Sequence, residues 1–400
     1  MDAARGHRGD AVTRCDVLVA GAGPAGSALA AGLARAGARV VLLEAARHPR
    51  PKACAEYASP RIIEELARIG LAPASWRADA IPLTGMRMVA GSRSAMITYA
   101  DRRGPRPAWG LDRTRFDARL AAHAASLGAD LVEGTRLVGL TVERGRVTGA
   151  TARAGDGRLR RFEAGFVVGA DGVRSTVARL TGVERPVSFP RRLGLVAHYA
   201  GDPDLADRGE MHVGRGYYVG LAPLPDGRLN VGMALPMDGR MPAAARFTTA
   251  IAGIPAIASR LADRERLTTI RGASPIGHRV ADVAGPGWLL VGDAAGFVDP
   301  FTGEGIHRAL RSARAAVSAI TSGGDPAGAY RRERRAAFAA KSALAWLVQG
   351  FLAFPPLLEH ALARLEERPR AALRLGSALG DCRPATDALA PTALLEVLRP

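Results

Sequence analysis

Between Cys15 and Glu44 the chain reads CDVLVAGAGPAGSALAAGLARAGARVVLLE. Cys15 to Ala20 is a short apolar, partly β-branched run ending at a glycine cluster, the pattern of a buried parallel strand. From Pro24 to Ala38 the small side chains favour a helix that lies very close to a sheet. Arg39 to Leu43 supplies a second strand, and Glu44 stands at its end. Strand, glycine turn, helix and strand within about 30 residues make a βαβ unit with a right-handed crossover.

Gly21-x-Gly23-x-x-Gly26 falls where a dinucleotide requires it. Gly21 permits the tight turn, Gly23 lets backbone N–H groups approach a pyrophosphate, and Gly26 allows close helix–sheet contact. Pro24 and Ala25 open a helix whose positive end faces the phosphates. Glu44, 18 residues beyond Gly26, can accept hydrogen bonds from a ribose diol and would repel a 2′-phosphate. FAD or NAD is expected here rather than NADP. The plainer alternative for Glu44 is a charge at a helix N-terminus.

Working outward, Ser59 to Ile69 has helical spacing, with Ser59 as the expected N-cap and Pro60 at the first helical position. Residues 81–100 alternate as strands do, Thr114 to Leu127 is helical, and Asp130 to Gly139 opens another strand. Two strand-like runs flank Gly155-Asp156-Gly157 as a hairpin. Residues 190–275 are β-rich, with Pro225-Asp226-Gly227 as a turn. A second glycine-rich block, GWLLVGDAAGFVDPFTGEGI, leads into a helix near His307 to Ile320, and helices follow from about 330.

The 400 residues are enough for two or three packed units. With 48% hydrophobic residues the chain is globular. Lys and Arg number 55 against 38 acidic residues, a net +17, and Lys52 and Lys341 are the sole lysines. This skew raises nucleic-acid binding as a remote reading. No helix-turn-helix, zinc-finger or RNA-binding signature supports it, and arginine for lysine in an alanine-rich chain reads as compositional bias. Three scattered cysteines give neither a disulfide framework nor a metal site, so no metal is expected. No signal peptide is readable before residue 15, and the expected location is cytoplasmic. The longest uncharged run, Ser342 to Leu358, is short for a membrane span and is broken by Pro355-Pro356; a buried helix is favoured over an interfacial one.

Two further blocks narrow the cofactor: Gly169-Ala170-Asp171-Gly172-Val173-Arg174-Ser175, and Gly292-Asp293-Ala294-Ala295-Gly296 running on to Gly303-Glu304-Gly305-Ile306. With these the chain resembles the flavoprotein superfamily of aromatic hydroxylases, geranylgeranyl reductases and flavin-dependent halogenases, over roughly residues 13–395. The resemblance implies an α/β fold: a Rossmann-type, glutathione-reductase-like FAD-binding domain with an inserted antiparallel β-sheet substrate domain and a C-terminal helical region. The FAD-binding segments are 13–78, 106–188 and 277–330. The substrate-domain segments are 79–105 and 189–276, and 331–400 is the helical region.

The resemblance also implies roles. Asp293 would bond a ribityl hydroxyl, Gly305 and Ile306 would place backbone N–H groups at the flavin N1/C2 edge, and Gly303 belongs to the same cofactor-binding block. Asp171 and Gly172 belong to the second nucleotide motif, unless Asp171 is merely a turn residue. Arg113 would contact the cofactor, and Leu137 would meet adenine through its backbone. HPRPKACAEYASP (48–60) resembles the Lys-x-Cys-Gly-Glu block of geranylgeranyl reductases beside the isoalloxazine. Lys52, Cys54 and Glu56 match, and Ala55 replaces the glycine. Cys54 is then a proton donor or flavin neighbour, or else a small packed residue. Glu56 either binds substrate or favours a helix N-terminus.

In those reductases aromatic residues wall an isoprenoid tunnel. Here Tyr218 and Pro223 survive as expected substrate contacts, while Gly220 and Ala222 replace the large rings. That absence puts first an NAD(P)H-dependent hydroxylase of a lipophilic, aromatic or polyketide-like molecule. A C=C reductase of an isoprenoid chain stands second, and a halogenase is a minor reading. The substrate is a small molecule, carrier- or diphosphate-linked in some versions. No nucleic acid and no transmembrane segment are expected, and the arginine excess allows weak peripheral membrane contact.

Overall fold

The computed structural model describes residues 12–205, 207–237 and 241–399; the first eleven residues, on which the absence of a signal peptide was read, lie outside them. Thr13–Ala20 and Val40–Leu43 pair in parallel, joined by the helix Pro24–Arg35. They sit in an eight-stranded sheet with Asp130–Val132 beyond the second strand and Leu159–Gly169 beyond the first. Leu159–Gly169 serves two neighbours in succession. Its first half pairs antiparallel with Arg146–Ala154, and its last three residues pair in parallel with Trp288–Leu290. One strand thereby ties the hairpin around Gly155–Gly157 and the second glycine-rich block to the same core.

Helix Pro24–Arg35 lies against Gly305–Thr321 as closely as its small residues promise: a Cβ on Gly32 would come 2.7 Å from a Val317 methyl. At the sheet, a Cβ on Gly26 would lie 1.8 Å from the Gly21 carbonyl oxygen. No side chain larger than hydrogen fits there.

The second sheet has seven strands, in the order Arg271–Ala273, Arg192–Ala200, Arg228–Pro236, Tyr218–Pro223, Gly209–Val213, Gly85–Ala90 and Arg93–Thr98. It is antiparallel except where Gly209–Val213 meets Gly85–Ala90, the junction of two segments far apart in sequence. Strand periodicity separates its faces. Val219 and Leu221 pack beneath helices Ala243–Ala252 and Pro255–Leu261 through Phe247 and Ile257. Tyr218 and Ala222 face the other way, toward Leu352, Leu358 and Leu362. Those two helices interrupt a region read from sequence only as β-rich.

Five helices end the chain, from Pro326–Ala353 to Pro391–Leu398, and four of them begin with proline, whose missing N–H is not needed at a first helical position. Pro355-Pro356 does end a helix, at Ala353. The helix is not buried as favoured: Trp346 and Phe354 are 47% and 64% exposed. Ser59 is not an N-cap either. The helix there is Ile62–Arg68, and the Ser59 hydroxyl donates to Asp381 instead.

Candidate active site

The glycine turn, Glu44, Asp171 and the Gly292–Ile306 block meet at the carboxyl ends of the parallel strands, where open α/β sheets bind ligands. Gly21 has φ +103°, and a Cβ there would lie 2.6 Å from the Ala170 carbonyl oxygen. Gly23 differs: a Cβ on it would meet nothing closer than Arg50 at 3.8 Å, so its face is open. Helix Pro24–Arg35 has no side-chain cap, leaving the first N–H groups free toward that opening.

Glu44 is buried and already used. Its carboxylate accepts from the N–H groups of Ala22 (3.0 Å) and Ala46 (3.0 Å) and from Arg50 Nη2 (3.2 Å). A carboxylate has about four acceptor positions, so one remains for a ribose hydroxyl. Thr135 N–H donates to the Glu44 carbonyl, which brings the strand of Leu137 alongside. Leu137 itself buries its side chain at a bulge in that strand.

Two acidic groups keep unpaired acceptor atoms. Asp171 Oδ2 accepts from Thr176 N–H at 2.7 Å, but Oδ1 is buried with none, and burial raises the pKa of this carboxyl. The Asp293 carboxylate, half-buried, has no hydrogen-bond partner among the described residues. Helix Gly305–Thr321 also starts without a side-chain cap. Its first N–H groups, at Gly305 and Ile306, are therefore free donors. Gly303 holds φ +67°, and a Cβ on it would strike the Tyr57 ring at 2.8 Å. Free backbone donors at two helix starts, with orphaned acidic acceptors between them, fit the phosphates, ribityl hydroxyls and flavin edge of FAD.

The Lys52–Glu56 segment runs along this space. Lys52 is exposed. Arg113, buried, forks onto Asp117 at 2.7 and 2.8 Å and donates through Nη1 to Cys54 Sγ at 3.1 Å. Burial opposes the Arg113 charge, yet Asp117 and Cys54 outweigh it and raise its pKa. Asp117 is held low by Arg113, Lys52 and Arg50 against its own burial. The side chain expected on the cofactor is thus committed to Asp117 and the thiol.

Glu56 is left-handed at φ +54° and 3% exposed. It accepts from Arg113 N–H (3.0 Å), Asn230 Nδ2 (2.8 Å) and His198 Nε2 (2.7 Å). Asn230 also donates to the Cys54 carbonyl at 2.8 Å, and His198 Nδ1 lies 3.1 Å from Arg228. Sequence reading missed His198, Asn230 and Arg228. A signal existed: His198 and Asn230 are polar intrusions in apolar strands and stand opposite each other in register.

Tyr218, expected on substrate, donates to Asp299 at 2.6 Å and packs edge-on against Phe301 at 5.1 Å. Asp299 is also paired with Arg192, which donates to Gln349 at 2.8 Å. Burial and the Asp299 charge push the Tyr218 phenol well above its ordinary pKa. Behind this network a slot of about 80 Å³ is lined by Met88, Phe301, Leu347, Phe351, Leu358 and Ala361, among other mostly apolar side chains. Neither Tyr218 nor Pro223 lines it; Tyr218 supports Phe301, which does.

Residues 14–323 match the family described as FAD binding domain. The menaquinone reductase of Mycolicibacterium smegmatis is 34% identical over 330 residues, 78% of each chain. The digeranylgeranylglycerophospholipid reductase of Methanothrix thermoacetophila is 30% identical over 330 residues, 78% of this chain and 79% of that one. Among solved structures, a geranylgeranyl bacteriochlorophyll reductase-like protein from Thermoplasma acidophilum superposes with a TM-score of 0.81 at 24% identity, covering 97% of both chains.

Proposed function

Since the chain belongs to the FAD binding domain family and is an FAD-dependent oxidoreductase, we propose that it saturates a carbon–carbon double bond in a prenyl chain. The observation that carries this reading is the apolar slot. Phe301 forms part of its wall and stands four residues before the open helix start at Gly305, which ties the slot by chain to the cradle. Both named relatives above are reductases, of menaquinone and of a digeranylgeranyl lipid, which puts reduction ahead of the hydroxylation that the sequence alone placed first. The lost aromatics at Gly220 and Ala222 are offset by Phe301 and Phe351, which come from other segments.

Gly21, Gly23, Pro24, Ala25, Gly26, Glu44, Leu137, Asp171, Gly172, Asp293, Gly303, Gly305 and Ile306 would hold FAD, with Lys52 at the rim. FAD held there would supply hydride-transfer chemistry. NAD(P)H is the two-electron donor in this scheme. One alkene carbon needs a proton, and we assign it to Cys54 Sγ. Two N–H donors, Arg113 Nη1 at 3.1 Å and Glu56 N at 3.4 Å, meet the charge left on sulfur. Glu56 and His198, joined to the same loop by Asn230, restore the proton from the solvent side. The seven-stranded sheet serves as the substrate domain, roofed by the C-terminal helices.

Anaerobic incubation with NAD(P)H and a prenylated quinone or lipid tests this. A product heavier by two hydrogens supports reduction. Turnover that requires oxygen and adds one oxygen atom overturns it in favour of hydroxylation.

A further inference from the structure

Helix Pro326–Ala353 is long and apolar enough to cross a membrane by length and composition, yet only 33% of its most apolar stretch is buried. It is packed on the protein along one side. Leu344 and Leu352 are buried, and Leu344, Leu347, Val348, Phe351 and Leu352 line the apolar slot. That side is committed, so the helix cannot span a bilayer without dismantling the fold.

Its other side faces solvent and carries no polar residue for most of its length. From Ala336 to Leu357 the exposed positions are Ala336, Ala339, Ala343, Trp346, Gly350, Ala353, Phe354, Pro356 and Leu357. The spacing is that of one helical face, about 26 Å long from Ala336 to Ala353 at 1.5 Å per residue. Phe189, 51% exposed and from a different part of the chain, stacks on Trp346 at 6.5 Å and widens the stripe. A solvent-facing helix normally carries charge on this face. The exposed basic residues lie before the stripe and beside it instead. Arg332 and Arg335 are exposed in the turns just before Ala336, and Arg191 is exposed two residues after Phe189; none of the three has an ion-pair partner among the described residues.

We propose that this face lies in the surface of an anionic bilayer, with Trp346, Phe354 and Leu357 in the acyl boundary and Arg332, Arg335 and Arg191 on the headgroup phosphates. Charge complementarity and the side-by-side placement of face and slot favour a membrane over a second copy of the chain. Leu347 and Phe351, half-buried between the two sides, are the gate through which a lipid tail passes from bilayer to slot. That gating role rests on the prenyl-reductase reading; the docking does not.

The test is flotation of the FAD-loaded protein on phosphatidylcholine vesicles with and without phosphatidylglycerol. The protein is expected to float with the anionic vesicles and to be released by high salt. W346E and F354E, at exposed sites, are expected to retain FAD and lose at least about tenfold in vesicle binding. The paired change R332E/R335E is expected to remove the preference for phosphatidylglycerol. Wild-type protein that stays in the dense fraction overturns the proposal. So does unchanged flotation of W346E, or a wild-type dimer that F354E converts to monomer without any vesicle binding. Vesicle binding with no reduction of any prenyl substrate leaves the docking standing and removes the substrate reading.

Discussion

The Glu56 carboxylate lies 2.7 Å from His198 Nε2 while its own backbone is held at φ +54°. A left-handed non-glycine residue costs roughly 1–3 kcal/mol, and such strain persists where surrounding contacts impose it. Here Arg113 N–H, Asn230 and His198 all converge on the carboxylate. E56Q is expected to bind FAD normally and to lose about 10²-fold in turnover, the low end of a general acid–base contribution. E56G, free of the backbone strain, is expected to lose as much. Turnover lost at unchanged FAD content and melting temperature separates a proton role from a structural one.

The glycine turn offers two alanine substitutions with different outcomes. A Cβ at Gly26 would overlap the Gly21 carbonyl at 1.8 Å, so G26A is expected to fail in folding or to yield insoluble protein. At Gly23 the nearest atom is 3.8 Å away, so G23A is expected to fold with unchanged melting temperature. Its methyl group stands where backbone must approach pyrophosphate, and FAD content after desalting is expected to fall at least about tenfold.

The βαβ unit was legible because each of its signals is local: strand, glycine turn, helix and acidic strand end follow within thirty residues. The free donors at Gly305 and the orphaned Asp293 were legible for the same reason, through a contiguous motif. The group proposed to handle the proton was half legible. Cys54 and Glu56 stand in one short block, but His198 and Asn230 reach it from strands more than 140 residues later, and only their cross-strand register joins them. The slot was not legible. Its walls come from Met88, Phe301 and several C-terminal helices, so the loss of aromatics at Gly220 and Ala222 could be offset where local sequence does not point.

Asp299 joins Tyr218, Arg192 and the N–H of Phe301 in one buried network. Removing a single partner of a buried ion pair leaves the other charge uncompensated, a cost of about 3–5 kcal/mol. D299A is therefore expected to lower stability by that amount in urea titrations. Y218F, which deletes one hydroxyl donor and keeps the ring against Phe301, is expected to cost only about 1–3 kcal/mol.

Glu210, with its side chain 1% exposed, lies 2.9 Å from His212 and 2.8 Å from Arg260. Burial raises its pKa, but His212, Arg260 and Arg87 prevail and bring it down to about 2, below the usual 4.5. A carboxyl depressed on folding stabilises the protein above its unfolded pKa, and this contribution fades as pH falls toward the folded one. Wild-type melting temperature is expected to drop between about pH 4.5 and 2 more steeply than that of E210Q. Parallel curves would remove Glu210 as a source of acid sensitivity.

Ala361 and Phe351 both line the slot, on helices Pro355–Glu367 and Pro326–Ala353. The slot's volume of about 80 Å³ is below the ~150 Å³ of a cavity known to take up benzene. A prenyl tail must therefore displace side chains to enter, and these two positions should control how far it reaches. A361F fills the slot at a packing cost of about 1–3 kcal/mol; KM for a long prenyl substrate is expected to rise at least about tenfold. F351A opens the slot and is expected to lower KM for bulkier tails while leaving that for short ones nearly unchanged. In both variants, reduction of bound FAD by NAD(P)H without substrate should proceed at the wild-type rate, since neither residue lies among the glycine-turn, Asp171 or Asp293 positions. If A361F leaves the chain-length dependence intact, the tail does not occupy this slot.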